Sequence, residues 1–149
     1  MKKFLLVVTV FLFNLSFSQN NKGKLFIIGG GSRPDFLVDR MVKEAGLNPG
    51  DAVAIFPQAS SEQDSSFYYA KQQFEKRNLK AVNYAFKKGE KLPSSKLDSL
   101  KKAKLIYVGG GDQVIFMDII NTYPEVKNIL KESYEKGNMI AGTSAGAAI

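Results

Sequence analysis

A serine stands between small residues in Gly142-Thr143-Ser144-Ala145-Gly146, directly after the short apolar run Met139-Ile140-Ala141. This is the GxSxG pattern of a nucleophile elbow, in which a strand turns sharply into a helix and leaves the serine hydroxyl at the tip. The glycines have a steric reason: the turn strains the serine backbone, and a side chain two residues to either side would collide with a neighbouring element. The amides just past the turn point where a bound carbonyl would develop negative charge, so the pattern suits acyl transfer. Taken alone, the pattern fits a plain Gly/Ala/Ser turn between strand and helix equally well.

A serine nucleophile needs a proton acceptor, most often histidine. The chain has no histidine, and it has no cysteine, which excludes disulfides, thiolate metal sites and a cysteine nucleophile. In elbow enzymes the acid and the histidine follow the serine in sequence, whereas Ser144 lies close to Ile149. The expectation is therefore that these residues are the N-terminal part of a longer protein. No metal and no cofactor are expected.

The elements that must position Ser144 are legible as alternating patterns. Apolar runs at residues 24–28 (KLFII), 52–56 (AVAIF), 81–86, 105–108 (LIYV) and 139–141 read as five buried strands. Between them lie helical patterns. Ser32, Pro34 and Asp35 start the first, with Phe36, Leu37, Arg40, Met41 and Glu44 at helical spacing and Gly46 as its stop. Ser61 and Asp64 start the second, which reaches about Arg77 and turns Phe67, Ala70 and Phe74 inward. A short helix begins near Pro93-Ser94, one carrying Val114, Phe116, Met117 and Ile120 follows Asp112-Gln113, and one opening at Pro124 runs to Lys136. Strands alternating with helices imply an α/β protein with a mostly parallel sheet and helices on both faces, three layers in all. In such sheets the site lies beyond the carboxyl ends of the strands, where residues 29–32, 58–61, 109–113 and Ser144 all fall. Gly29-Gly30-Gly31 lacks the third glycine of a dinucleotide fingerprint, whose place Pro34 takes, so nucleotide binding is not expected. A backbone passing close to a substrate or a strand is the better reading.

Residues 1–18 read as a secretory signal peptide: Lys2-Lys3, an apolar stretch over residues 4–17, and small residues Ser16 and Ser18 before a cut. That stretch is shorter than the roughly 20 residues of a spanning helix. Residues 19–149 are then the N-terminal part of a single domain, enough for a real core but small for an α/β hydrolytic enzyme, secreted or periplasmic, with no membrane association after cleavage. The formal charge of +7 is carried by lysines scattered along helix faces without interleaved aromatics, so no nucleic-acid partner is expected.

The Gly109-Gly110-Gly111-Asp112-Gln113 and Gly142-Thr143-Ser144-Ala145-Gly146-Ala147 motifs, with the Gly29-Gly30-Gly31 start and residues 55–61, resemble the cyanophycinase and dipeptidase E family of serine peptidases (the S51 type) from about Lys24 to Ile149. The resemblance implies a class I glutamine amidotransferase-like fold, here cut off after the elbow. It also implies hydrolysis of aspartyl or isoaspartyl peptide bonds, with an Asp/Arg-type polymer as one candidate substrate. It makes Ser144 the nucleophile and gives the oxyanion hole to the N–H groups of Ala145 and of Gly110 or Gly111. Asp112 and Gln113 become substrate-binding residues, Gln113 matching the substrate-contacting glutamine of the cyanophycinase branch; Ser60, in the neighbouring loop, could also touch a ligand. A homodimer is a further expectation. Since the family's base and acid lie beyond the elbow, residues 19–149 in isolation are expected to be inactive. Two alternatives stand beside this reading: a non-catalytic binding domain of the same fold, and an α/β-hydrolase esterase, which shares GxSxG but places it after more antiparallel sheet.

Overall fold

The computed structural model describes residues 22–149, so the proposed signal peptide lies outside the described residues. The chain alternates β1 (Leu25–Ile28), α1 (Asp35–Glu44), β2 (Ala52–Phe56), α2 (Gln63–Glu75), β3 (Lys80–Asn83), α3 (Ser94–Lys101), β4 (Leu105–Val108), α4 (Gln113–Ile120), α5 (Pro124–Glu135) and β5 (Met139–Thr143), and closes in a 3-10 turn over Ser144–Ala147. All five strands run parallel in the order β1-β5-β4-β2-β3. The strand carrying the serine motif is therefore flanked by β1 and β4, the two strands that run into the glycine triplets.

Parallel strands covered on both faces should be apolar throughout, and β4 is buried at all four positions. On one face Val53, Ile55, Leu105, Tyr107 and Ala141 pack against Val38 and Met41 of α1 and Phe74 of α2. On the other, Ala54, Phe56, Ile106 and Val108 meet Leu100 of α3, Phe116 and Ile119 of α4, and Val126 and Ile129 of α5. The sheet with helices on both faces matches the expected fold class. Its coverage is uneven at one edge, where Leu25 and Ile27 of β1 are 61% and 70% exposed beside Ile140 and Gly142.

Several local expectations need correction. Ser32 does not cap α1: Pro34 holds the N-cap position, with no side-chain bond. Ser61 does not cap α2, whose N-cap is Glu62; instead Ser60 Oγ accepts from the Glu62 amide at 3.0 Å. The third strand ends at Asn83 rather than Phe86, because the Asn83 side chain accepts from the Ala85 amide at 2.8 Å and turns the chain. Tyr84 and Phe86 nonetheless stay buried, stacked on and edge-on to Phe56. Phe36, at helical spacing with the core residues of α1, is 73% exposed, and Val114 of α4 is likewise on the surface. After the elbow the chain makes a 3-10 turn, not a regular helix.

Candidate functional site: a serine between two glycine loops

Ser144 follows the last residue of β5 and adopts φ +53°, a left-handed conformation unusual for a residue other than glycine. Such strain persists only where the surroundings over-determine it, and here the two motif glycines do so. A methyl group on Gly142 would run into the Gly146 carbonyl, and one on Gly146 would run into the carbonyls of Val108 and Gly109. The turn is thus pressed both against itself and against the end of β4. Ala145 is buried beneath it, while Ser144 remains exposed.

The flanking loops close on the serine from both sides. A methyl group on Gly110 would lie 3.3 Å from Ser144 Cβ and 3.9 Å from Oγ; one on Gly30 would lie 3.6 Å and 3.9 Å from the same atoms. Both glycines let backbone approach the hydroxyl where a side chain would crowd it. Gly30, which the sequence reading left among general loop residues, therefore comes as near the Ser144 hydroxyl as Gly110 does.

Gly111 has a different task. It adopts φ +142°, and a methyl group there would be forced into the Ala59 carbonyl and the Ser60 amide. The Asp112 amide donates to that Ala59 carbonyl at 2.7 Å, and the Gly109 amide donates to the Phe56 carbonyl at 2.9 Å. The loop of residues 109–113 is thus fastened to the loop after β2, bringing Ser60 beside Gly111. Asp112 is the N-cap of α4, its Oδ1 accepting from the Val114 amide at 2.7 Å. Gln113, the first residue of α4, is exposed. Of the residues singled out from sequence, Ser144, Ala145 and Gly110 converge on one point, whereas Gly111, Asp112 and Ser60 form the fastening next to it.

Beside the first glycine loop lies a cavity of about 390 Å³ whose wall includes Gly31, Ser32, Arg33, Tyr69, Gln73 and Lys76. Arg33 donates from Nε to Gln73 Oε1 at 3.0 Å, and its guanidinium sits 5.9 Å from the centroid of the Tyr107 ring. Burial pushes the Tyr107 phenol above its ordinary pKa, an effect opposed by the Arg33 charge and the nearby Thr143 side chain. The Tyr107 hydroxyl is nonetheless left without a hydrogen-bond partner of good geometry among the described residues. The sequence reading missed Arg33; its sole signal was a cation between the glycine triplet and Pro34.

Among the described residues, no group of three or more His, Cys, Asp or Glu is placed to hold a metal ion, and no helix is long and apolar enough to cross a membrane. None of the described strands is antiparallel, unlike the sheet expected of an α/β-hydrolase esterase.

A fully parallel α/β sheet with a strained serine turn between two glycine loops defines the class: an α/β protein of the nucleophile-elbow kind. Residues 25–149 match the profile of Peptidase family S51, and the chain belongs to that family of serine peptidases. Two solved structures share the fold. One is a peptidase from an acI-B1 Actinobacterium, at TM-score 0.68 and 23% identity, covering 85% of this chain and 55% of that one. The other is a candidate peptidase E protein from Listeria monocytogenes EGD-e, at TM-score 0.65 and 21% identity, covering 85% of this chain and 60% of that one. The chain thus spans little more than half the length of these structures. No curated protein sequence matches it.

Proposed function

We propose that the protein is a serine-type peptidase hydrolysing aspartyl or isoaspartyl peptide bonds in the manner of cyanophycinase, with Ser144 as its nucleophile. The observation that carries this reading is the exposed Ser144 at φ +53°, approached by Gly30 and Gly110 on opposite sides, in a chain of Peptidase family S51. Ser144 Oγ attacks the scissile carbonyl carbon as its proton passes to a base. The carbonyl oxygen takes the negative charge, and the N–H groups of Ala145 and Gly110 hold it. Collapse of this intermediate expels the amine, which takes up the proton, and leaves an acyl ester on Ser144 that water then hydrolyses.

With no histidine among these 149 residues, the base and its acidic partner belong, in this proposal, to sequence outside them. Gln113, Asp112 and Ser60 are proposed to border the substrate, and Gly111 serves as the alternative oxyanion donor to Gly110. Export to the periplasm or the medium, directed by residues 1–18, and a homodimeric state belong to the same proposal. The lack of histidine also favours a second reading for residues 19–149 alone, a non-catalytic binding domain using the same loops.

The test is hydrolysis of β-aspartyl-leucine and of cyanophycin by the full-length protein. Ser144→Ala should lower the rate by about 10⁴-fold or more, as loss of a nucleophile does in other serine enzymes. Retention of hydrolysis by that variant would remove the assignment.

A further inference from the structure

Arg33 has the environment of a binding residue rather than of a structural ion-pair member. Its Nε is tied to Gln73 and its guanidinium carbon lies 5.9 Å from the Tyr107 ring centroid, so the group is anchored on two sides before any ligand arrives. Asp35, which lines the same cavity, and Asp39 beside it are already engaged: Arg77 Nη2 is 3.2 Å from Asp35 Oδ1, and Arg77 Nε is 2.6 Å from Asp39 Oδ1. Arg33 makes no ion pair among the described residues, and it lines a cavity of about 390 Å³, within the usual range for small-ligand sites. A fixed, half-buried, uncommitted guanidinium is suited to bidentate capture of a carboxylate.

The cavity does not include Ser144 in its wall, but the loop joins the two. A methyl group on Gly30 would lie 3.6 Å from Ser144 Cβ, and three residues of chain from Gly30 to Arg33 span at most about 10 Å. That separation is of the order of a few extended peptide residues, at roughly 3.5 Å each.

Resting on the reading of Ser144 as the residue acylated by substrate, we propose that Arg33 is a specificity-determining residue: it binds a carboxylate of the peptide substrate in the cavity beside the first glycine loop. A site built around an ion rejects the neutral isostere, because the charge it holds is then left without its partner.

Calorimetric titration of the Ser144→Ala protein tests this without turnover. Acetyl-Asp-Leu-amide carries a side-chain carboxylate only, acetyl-Asn-Leu a terminal carboxylate only, and acetyl-Asn-Leu-amide neither. The expected result is that one of the two carboxylate probes binds about 10-fold to 100-fold more tightly than the neutral peptide. Adding Arg33→Gln should erase that gap while leaving neutral-peptide binding unchanged, and Arg33→Lys should restore part of it. Should Arg33→Gln lower the melting temperature, Gln73→Leu, which releases the guanidinium from its anchor, must narrow the gap instead. A gap that survives Arg33→Gln, or no gap in the parent, overturns the proposal. Labelling of Ser144 by a fluorophosphonate in the full-length protein separates the two readings. Labelling without a carboxylate gap removes the Arg33 site alone, whereas an Arg33-dependent gap without labelling removes the peptidase reading alone.

Discussion

The two glycine triplets, residues 29–31 and 109–111, leave the strands on either side of β5 and approach Ser144 from opposite sides, but only the second is fastened down. Gly109 donates to the carbonyl of Phe56 at the end of β2 and Asp112 to that of Ala59 in the loop that follows, Asp112 caps α4, and Gly111 is pressed on Ala59. In the first triplet, methyl groups on Gly29 and Gly31 would meet nothing within 4 Å, and Gly30 alone touches Ser144. The same three residues thus serve different ends: 109–111 fixes a backbone wall against the serine, and 29–31 is open chain leading to the Arg33 cavity. A rigid wall is what the proposed oxyanion donor needs, and the less encumbered side is the one that leads to Arg33.

The largest test of this contrast is Gly111→Ala. The added methyl would meet the Ala59 carbonyl, and φ +142° is a region that residues with a side chain rarely adopt. Backbone strain alone costs of order 1–3 kcal/mol, and displacing the Ala59 loop adds to it. The melting temperature should fall by about 10 °C or more by circular dichroism. A loss of under about 2 °C would mean that the second triplet is no tighter than the first.

Asp112 gives a smaller effect. Replacing it with alanine removes the cap on the Val114 amide and should cost about 1 kcal/mol in denaturant unfolding. Asp112→Asn keeps a capping side chain and should restore that stability. If Asp112→Asn is as stable as the parent but hydrolyses aspartyl peptides more slowly, the carboxylate has a role in the substrate site beyond its cap.

Much of the architecture was legible because β1, β2 and β4 are short, largely apolar runs that give way at once to glycine or proline, the pattern of strands in a covered parallel sheet. The elbow was legible for a related reason: Gly142 and Gly146 are required by contacts within the motif and with the adjacent strand end, which a spacing rule encodes. Periodicity was weaker at telling which helix face is covered. Phe36 and Val114 match a core pattern, yet α1 and α4 turn them to the surface. The third strand was read too long because Tyr84 and Phe86 keep core side chains after Asn83 has turned the backbone; composition registers burial there but not pairing. Arg33 escaped notice since its meaning depends on Gln73 and Tyr107, partners supplied by other elements. Ser60 and Asp112 have local hydrogen bonds that account for their residue types without any ligand.

The smallest effects come from the open triplet, and there two neighbouring substitutions separate space from backbone. Neither Gly29 nor Gly31 has an atom within reach of a new methyl group, but Gly31 sits at φ +77° and Gly29 has no positive φ. Alanine at 31 should therefore cost about 1 kcal/mol from the left-handed conformation alone. Alanine at 29 meets neither obstacle and narrows the unfolded ensemble, so stability should stay level or rise by about 0.4–1 kcal/mol. Measured by chemical denaturation, Gly29→Ala should unfold at or above the parent midpoint and Gly31→Ala slightly below it. A loss at Gly29 as large as that at Gly111 would mean that this loop is packed in solution as tightly as its counterpart, and the open approach to Arg33 would then have to be abandoned.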